Sequence, residues 1–424
     1  MTRRSLFLVL VILSLLFGGQ VSQAVVPAQG EAIELEGVLN GAPYKIRVPA
    51  NWNGTLLVYA HGYRDKADHP GEEDDRRADA APGGKPLEDF LFSQGYAVAG
   101  SAYLDNGWAV KEGLSDTLAL VSFFKGRVGE PRHTILWGFS MGSLIALKSA
   151  EDLANVYDGI IAGCAVGAGA PLTWDGAGAI ALAYDVAFGI PASWGTFADV
   201  RDDLDYDTEV VPVLVNQVTN QANFGRFEFI RLVNDLPAEE FYDGSNWLFT
   251  DMFFVFEARA ELERRAGGPI VQNVDHIYSL TDEEKAYLAS LGVDADALLA
   301  EMNARTNVSA PPSARRYLEN YAAYTGRIAV PVLTLHTTTD GLVPAAHESV
   351  YRDLVARAGR EALLRQVYTD AVGHCAFTPR QLVAVVRAME SWLETGTPPG
   401  PEFFPEDLGF VPDFVPPRWP YGLQ

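Results

Sequence analysis

The sequence predicts an α/β protein: a mostly parallel sheet flanked by helices, with a large helical cap inserted between core strands. Three observations carry that expectation. Short, continuously apolar runs alternate with segments of helical period over residues 31–170 and again over 326–397. The intervening 171–325 holds several helical patterns and no convincing buried strand. Finally, Gly138-Phe139-Ser140-Met141-Gly142 sets a serine among small residues where a strand hands over to a helix.

Taken in order, residues 1–24 read as a targeting segment. Arg3 and Arg4 form a basic start, Leu6 to Phe17 an apolar run, and Ser22-Gln23-Ala24 a small-x-small cleavage site. The run is shorter than the roughly 20 residues a bilayer span needs, so removal rather than anchoring is expected. Glu31–Val38 and Tyr44–Val48 flank Asn40-Gly41, a hairpin signal. Thr55–Ala60 (TLLVYA) and Tyr96–Gly100 read as strands buried on both faces, and the polar, Gly/Pro-rich 65–86 between them as a solvated loop, with an acidic cation-binding loop as the alternative. Ser115–Phe124 is helical in period, Thr134–Trp137 a strand, Met141–Leu153 a helix and Ile160–Val166 a further buried strand.

The cap, 171–325, contains the capping box Thr281-Asp282-Glu283-Glu284 and a helical stretch from Ser313 to Tyr324. It is rich in aromatics, among them Trp174, Trp247, Phe253 and Phe254. Most of these are expected to form the cap's own core and some to face a cleft. Val330–Leu335 and Leu363–Tyr368 complete the sheet, and Gln381–Leu393 is the last helix. The tail, 398–424, interleaves prolines with aromatics such as Phe404, Phe410 and Trp419. Proline fixes φ and donates no hydrogen bond, so the tail is expected to lie extended over the body.

Composition narrows the function. The chain has 48% hydrophobic and 21% charged residues, enough for a large core. Its 55 acidic against 32 basic side chains give a net charge of -23, which repels nucleic-acid phosphates and anionic membranes. Two cysteines are too few for a disulfide scaffold or a four-ligand zinc site. The mature protein is thus expected to be secreted or periplasmic, with no nucleic-acid partner and no stable membrane insertion, its oligomeric state left open.

The chemistry centres on Ser140. Small residues on either side let strand and helix approach closely while the serine takes a strained conformation that pushes its hydroxyl outward. An alcohol attacks only when a base takes its proton and a carboxylate orients that base. Asp340 lies beyond the strand VPVLTL, and His374 beyond the last strand, in Gly373-His374-Cys375. The order Ser, Asp, His, each at a strand's C-terminal end, gathers all three at one sheet edge. Asp370, four residues before His374, is the competing acid and reads as a turn residue; His336 and His347 read as structural. His61-Gly62-Tyr63 ends the third strand, where backbone N–H groups of Tyr63 and Met141 can form an oxyanion hole.

With these motifs the chain resembles the α/β-hydrolase superfamily of serine hydrolases over about 31–169 and 327–393, and within it most resembles secreted esterases. The resemblance implies an α/β-hydrolase fold and a triad of Ser140, Asp340 and His374, and this chemistry requires no metal or organic cofactor. Proline iminopeptidases carry a glycine-rich HGGPG segment where this chain reads HGYRD, which lowers the peptidase reading. Tannases and fungal feruloyl esterases pair a cysteine before the serine with one after the histidine; here Cys375 follows His374 but Phe139 precedes Ser140. Cys164, on the strand after the nucleophile helix, is left either to bridge Cys375 or to remain with it as two buried thiols.

The expected activity is therefore hydrolysis of carboxylic esters, small-molecule or polymeric and apolar or aromatic, through an acyl-enzyme. His61, Trp108, Trp247 and Phe254 are the expected substrate contacts. A serine peptidase or amidase on the same fold is the alternative, and a non-catalytic binding protein on this scaffold is the alternative of another class.

Overall fold

A computed structural model describes residues 31–238 and 247–421; the targeting segment at 1–24 lies outside the described residues. Strands β1 (Ile33–Leu39) and β2 (Ala42–Val48) pair as an antiparallel hairpin, with Ile33 opposite Val48 and Leu39 opposite Ala42. Its turn uses Asn40 and Gly41, both at positive φ, as two-residue hairpins require. The hairpin joins β3 (Thr55–Ala60), β4 (Ala97–Ser101), β5 (His133–Phe139) and β6 (Gly159–Gly163). A two-residue hairpin in the cap, β7 (Gly195–Thr196) with β8 (Asp199–Val200), stands apart, and β9 (Val332–Thr339) and β10 (Leu364–Val372) finish the main sheet. The order is β1-β2-β4-β3-β5-β6-β9-β10, parallel from β4 to β10 with β1 and β2 antiparallel. This is the α/β-hydrolase fold.

Side-chain alternation sorts the helices onto two faces. Leu56, Val58 and Ala60 of β3 pack with α2 (Val110–Arg127) and α3 (Met141–Asp152), while Leu57 and Tyr59 pack with α1 (Lys85–Ser93) and the helix Pro379–Thr395. Every residue of β3 and β4 is buried, which explains why both read as unbroken apolar runs. The sequence carried the β6 run to Val166. The strand stops at Gly163 because Cys164 turns to φ 42, redirecting the chain at the sheet edge.

Between β6 and β9 the chain is mostly helical. It opens with α4 (Gly169–Phe188) and includes Phe224–Val233, Trp247–Phe253 and Arg259–Ala266, the last two joined through a π turn at Phe254–Ala258. Thr281 and Glu284 make the reciprocal capping box. This region has its own apolar core, in which Tyr184, Trp194 and Phe256 meet edge-on or stacked. Buried ion pairs tie it together. Arg259 donates to Glu263 at 2.8 Å, and Arg315 grips both oxygens of Asp175 at 2.8 and 2.7 Å. The tail forms a bridge at Thr369 and Phe410 beside β10, then sends Trp419 and Tyr421 back to the cap. Among the described residues no helix is long and apolar enough to cross a membrane.

Candidate active site

Three strand ends deliver three side chains to one point. Ser140 occupies the hinge between β5 and α3 at φ 54, ψ -127, a conformation that L residues rarely adopt. The hinge is too tight for side chains on its flanks. A Cβ on Gly138 would lie 2.0 Å from the Gly142 carbonyl oxygen, and one on Gly142 would lie 2.1 Å from that of Ala60. Ser140 and His374 Nε2 are 2.8 Å apart, and His374 Nδ1 is 2.8 Å from Asp340 Oδ2. The other Asp340 oxygen accepts the N–H groups of Leu342 (3.1 Å) and Val343 (2.9 Å). Burial by itself would push the Asp340 carboxyl up, but the attraction and hydrogen bond of His374, with the Val343 N–H, outweigh it and hold it below the usual carboxylate range. Asp370 is exposed, beside Gly409, and it is Asp340 that faces the imidazole.

His374 is held from its C-terminal neighbour. Cys375 is bridged to Cys164, with their Cα atoms 5.1 Å apart across a sequence separation of 211. Of the two states left open by the sequence, the structure has the disulfide. It joins the ends of β6 and β10 and so fixes the loop carrying the histidine.

Tyr63 and Met141 both line the cavity that contains Ser140. Met141 is the first residue of α3, where N–H groups lack intrahelical acceptors, so it suits an oxyanion donor. The cavity is roofed by the cap. Phe254 meets Tyr63 at 5.0 Å between ring centroids, and Trp108 meets Trp174 at 4.9 Å. Trp108 is tied to the cap, because its backbone N–H donates to the buried Glu261 carboxylate at 3.0 Å.

His61 takes no part in this cavity. Its ring is buried, stacked on Tyr103 at 3.9 Å with Nδ1 2.7 Å from the Gly62 carbonyl oxygen. Burial pushes its pKa down to about 3, so it is a neutral support for the loop rather than a substrate contact. The side chain of Trp247 lies outside the described residues. Sequence reasoning missed two walls of the cavity. One is the tail, whose Trp419 and Tyr421 line it; the other is His347, whose ring lies edge-on to Trp419 at 4.9 Å. His347 accepts the Ala168 N–H at Nδ1, 3.3 Å away, and burial pushes its pKa down to about 3, leaving Nε2 to carry the proton. The aromatic-proline pattern Trp419-Pro420-Tyr421 was a signal for the first; nothing local marks the second.

No family model matches the chain. A curated relative, the o-phthalyl amidase of Xanthobacter agilis, is 23% identical over 428 residues, covering 89% of this chain and 90% of that protein. Among solved structures, an esterase of Pyrococcus furiosus shares 15% identity over 88% of this chain and 90% of its own, with a TM-score of 0.38. Feruloyl esterase B of Aspergillus oryzae shares 12% over 87% and 81%, TM-score 0.40. Proline iminopeptidase of Mycobacterium smegmatis shares 11% over 86% and 100%, TM-score 0.38.

Proposed function

From an α/β-hydrolase fold with Ser140, His374 and Asp340 in hydrogen-bond contact, we propose an exported serine hydrolase that cleaves carboxylic esters with neutral, apolar or aromatic acyl groups. The observation that carries this reading is the unbroken pair of 2.8 Å contacts from Ser140 through His374 to Asp340. In the proposed reaction His374 takes the hydroxyl proton as Ser140 attacks the carbonyl carbon. Asp340, kept ionised by its surroundings, supports the imidazolium. The N–H groups of Tyr63 and Met141 receive the oxyanion, His374 gives the proton to the leaving atom, and water then hydrolyses the acyl-enzyme. This route asks nothing of a metal or cofactor.

The ester preference rests on the cavity's walls. Among those described, aromatic and aliphatic side chains dominate and there is no lysine or arginine. An amidase is the second reading, favoured by the name of the Xanthobacter agilis relative. An o-phthalyl group, however, sets a second carboxyl group on its ring, and a carboxylate finds no cation among these walls. Export is supported by the N-terminal segment at 1–24 and by the Cys164–Cys375 bridge, which suits an oxidising compartment.

Ser140→Ala tests the assignment directly. The wild type should react with a fluorophosphonate and turn over p-nitrophenyl esters faster than matched anilides. The variant should lose labelling, and its hydrolysis should fall by several orders of magnitude, given roughly million-fold losses when such nucleophiles are removed. More than about a hundredth of wild-type turnover in a folded variant overturns the assignment.

A further inference from the structure

We propose that the leaving half of the substrate lies in a second groove, on the side of Ser140 away from the cap, and that this groove favours leaving groups ending in an anion. The inference rests on the ester-hydrolase reading and assigns each half of the substrate a place.

Two concavities meet at Ser140. One is the cavity under the cap. The other is walled by Pro82, Leu87, Phe139, Cys375, Phe377 and Leu382, with no described wall drawn from 171–325. A substrate split at one carbonyl diverges from the nucleophile in two directions, so two concavities meeting at the hydroxyl suit its two halves. Proton delivery decides which half goes where. As the Ser140 oxygen bonds to the carbonyl carbon and the carbon–oxygen bond of the ester breaks, the serine proton passes through His374 to the departing oxygen. Water later supplies the hydroxyl of the released acid and returns a proton to Ser140. The departing oxygen must therefore lie beside His374, and Cys375 and Phe377, just beyond it in the chain, form walls of the groove.

The groove continues outward. Pro86, Leu87 and Pro379 are shared with a channel between α1 and the helix Pro379–Thr395. Arg380, Val383, Ala384 and Arg387 line this channel at spacings i, i+3, i+4 and i+7, so one helix face presents an apolar centre between two guanidinium groups. Phe90, 42% exposed, lies on the opposite wall. Both arginines are exposed. The acids of α1 are engaged elsewhere: Glu88 with Lys45 at 3.4 Å, and Asp89 with Lys85 and Arg47 at 2.7 Å each. Glu394 pairs with Arg132 at 2.9 Å, and Glu390 accepts from Thr55 and Tyr96, each at 2.7 Å.

The cap cavity has the opposite character. Asp235 and Asp251 are among its walls, and the described walls hold no lysine or arginine. An anionic group is thus disfavoured under the cap and favoured in the groove.

The test uses benzoate esters sharing one acyl-enzyme, with a medium-chain ω-hydroxy acid, its neutral amide or the matching amino alcohol as leaving group. For the full-length protein, kcat/KM should fall in that order, and the anionic preference should shrink as salt rises. In Arg380→Glu/Arg387→Glu the anionic-to-neutral ratio should drop by about tenfold, the scale expected when two exposed charges are reversed. Moving the carboxylate to the acyl half should lower kcat/KM in a way the double substitution does not change. A ratio unmoved by the double substitution, with p-nitrophenyl esters still cleaved, overturns the groove alone. Failure to cleave any ester, p-nitrophenyl esters included, overturns the ester-hydrolase reading.

Discussion

At the residue scale, function depends on groups whose partners are far away in sequence. Ser140 was legible because Gly138 and Gly142 leave a local trace of the tight hinge, and because a strand and a helix flank it. Asp340 and His374 were legible as strand-end residues in the order the fold requires. His61 was not, since a histidine at the end of a buried strand looks the same whether it faces substrate or stacks on Tyr103. The choice of acid is open to a direct check. Asp340→Asn keeps the shape but loses the charge that supports the imidazolium, and kcat should fall by about four orders of magnitude. Asp370→Asn, at an exposed carboxyl beside Gly409, should stay near wild type in the same steady-state assay. The reverse pattern would assign the acid to Asp370.

At the element scale, the sheet was easier to read than the cap. Core strands bury both faces and so appear as apolar runs, whereas cap helices are defined by contacts with one another that leave no fixed period. The π turn at Phe254–Ala258 is a case in point: one extra residue in the turn sets Phe254 on the cavity and Glu257 against Tyr206 and His69, and no local pattern announces it. Glu257 also gives the cap a pH dependence. Burial, with a smaller contribution from nearby Asp65, raises its carboxyl from 4.5 to about 7, against the Tyr206 N–H and His69, which pull it down. Between those values the folded protein holds a proton that the unfolded chain has released, so this group's contribution makes stability fall as pH rises from about 4.5 to 7. Glu257→Gln cannot titrate yet can still accept the Tyr206 N–H. Its Tm, followed by circular dichroism, should decline less than wild type across that interval; an identical decline would assign the slope to other groups.

At the scale of the whole molecule, the substrate cavity belongs to no single stretch of chain. The core supplies Ser140 and Tyr63, the cap supplies Trp174 and Phe254, and the tail closes one side with Trp419 and Tyr421. The tail reaches this position in two steps. It first pairs beside β10, where the Asp370 N–H donates to Gly409 at 2.9 Å and the Val411 N–H to Tyr368 at 2.9 Å. It then anchors to the cap through the Tyr421 hydroxyl, which donates to Asn234 Oδ1 at 2.6 Å. The proposed catalytic groups of the core are thus separate from the walls proposed to grip the acyl group, and substitutions in the walls should change selectivity more than chemistry. Phe254→Ala or Trp419→Ala should raise KM for bulky aromatic esters roughly tenfold, since burying an aromatic ring is worth about 1.5–3 kcal/mol and only part of it is lost. Their kcat should change much less, because neither side chain supplies the nucleophile, the base or an oxyanion donor. Selectivity is read as relative kcat/KM over esters from acetyl to naphthoyl, with folding checked by circular dichroism. If both variants keep the wild-type profile, the cap and tail only cover the core, and the choice of acyl group passes to Tyr63 and Trp108.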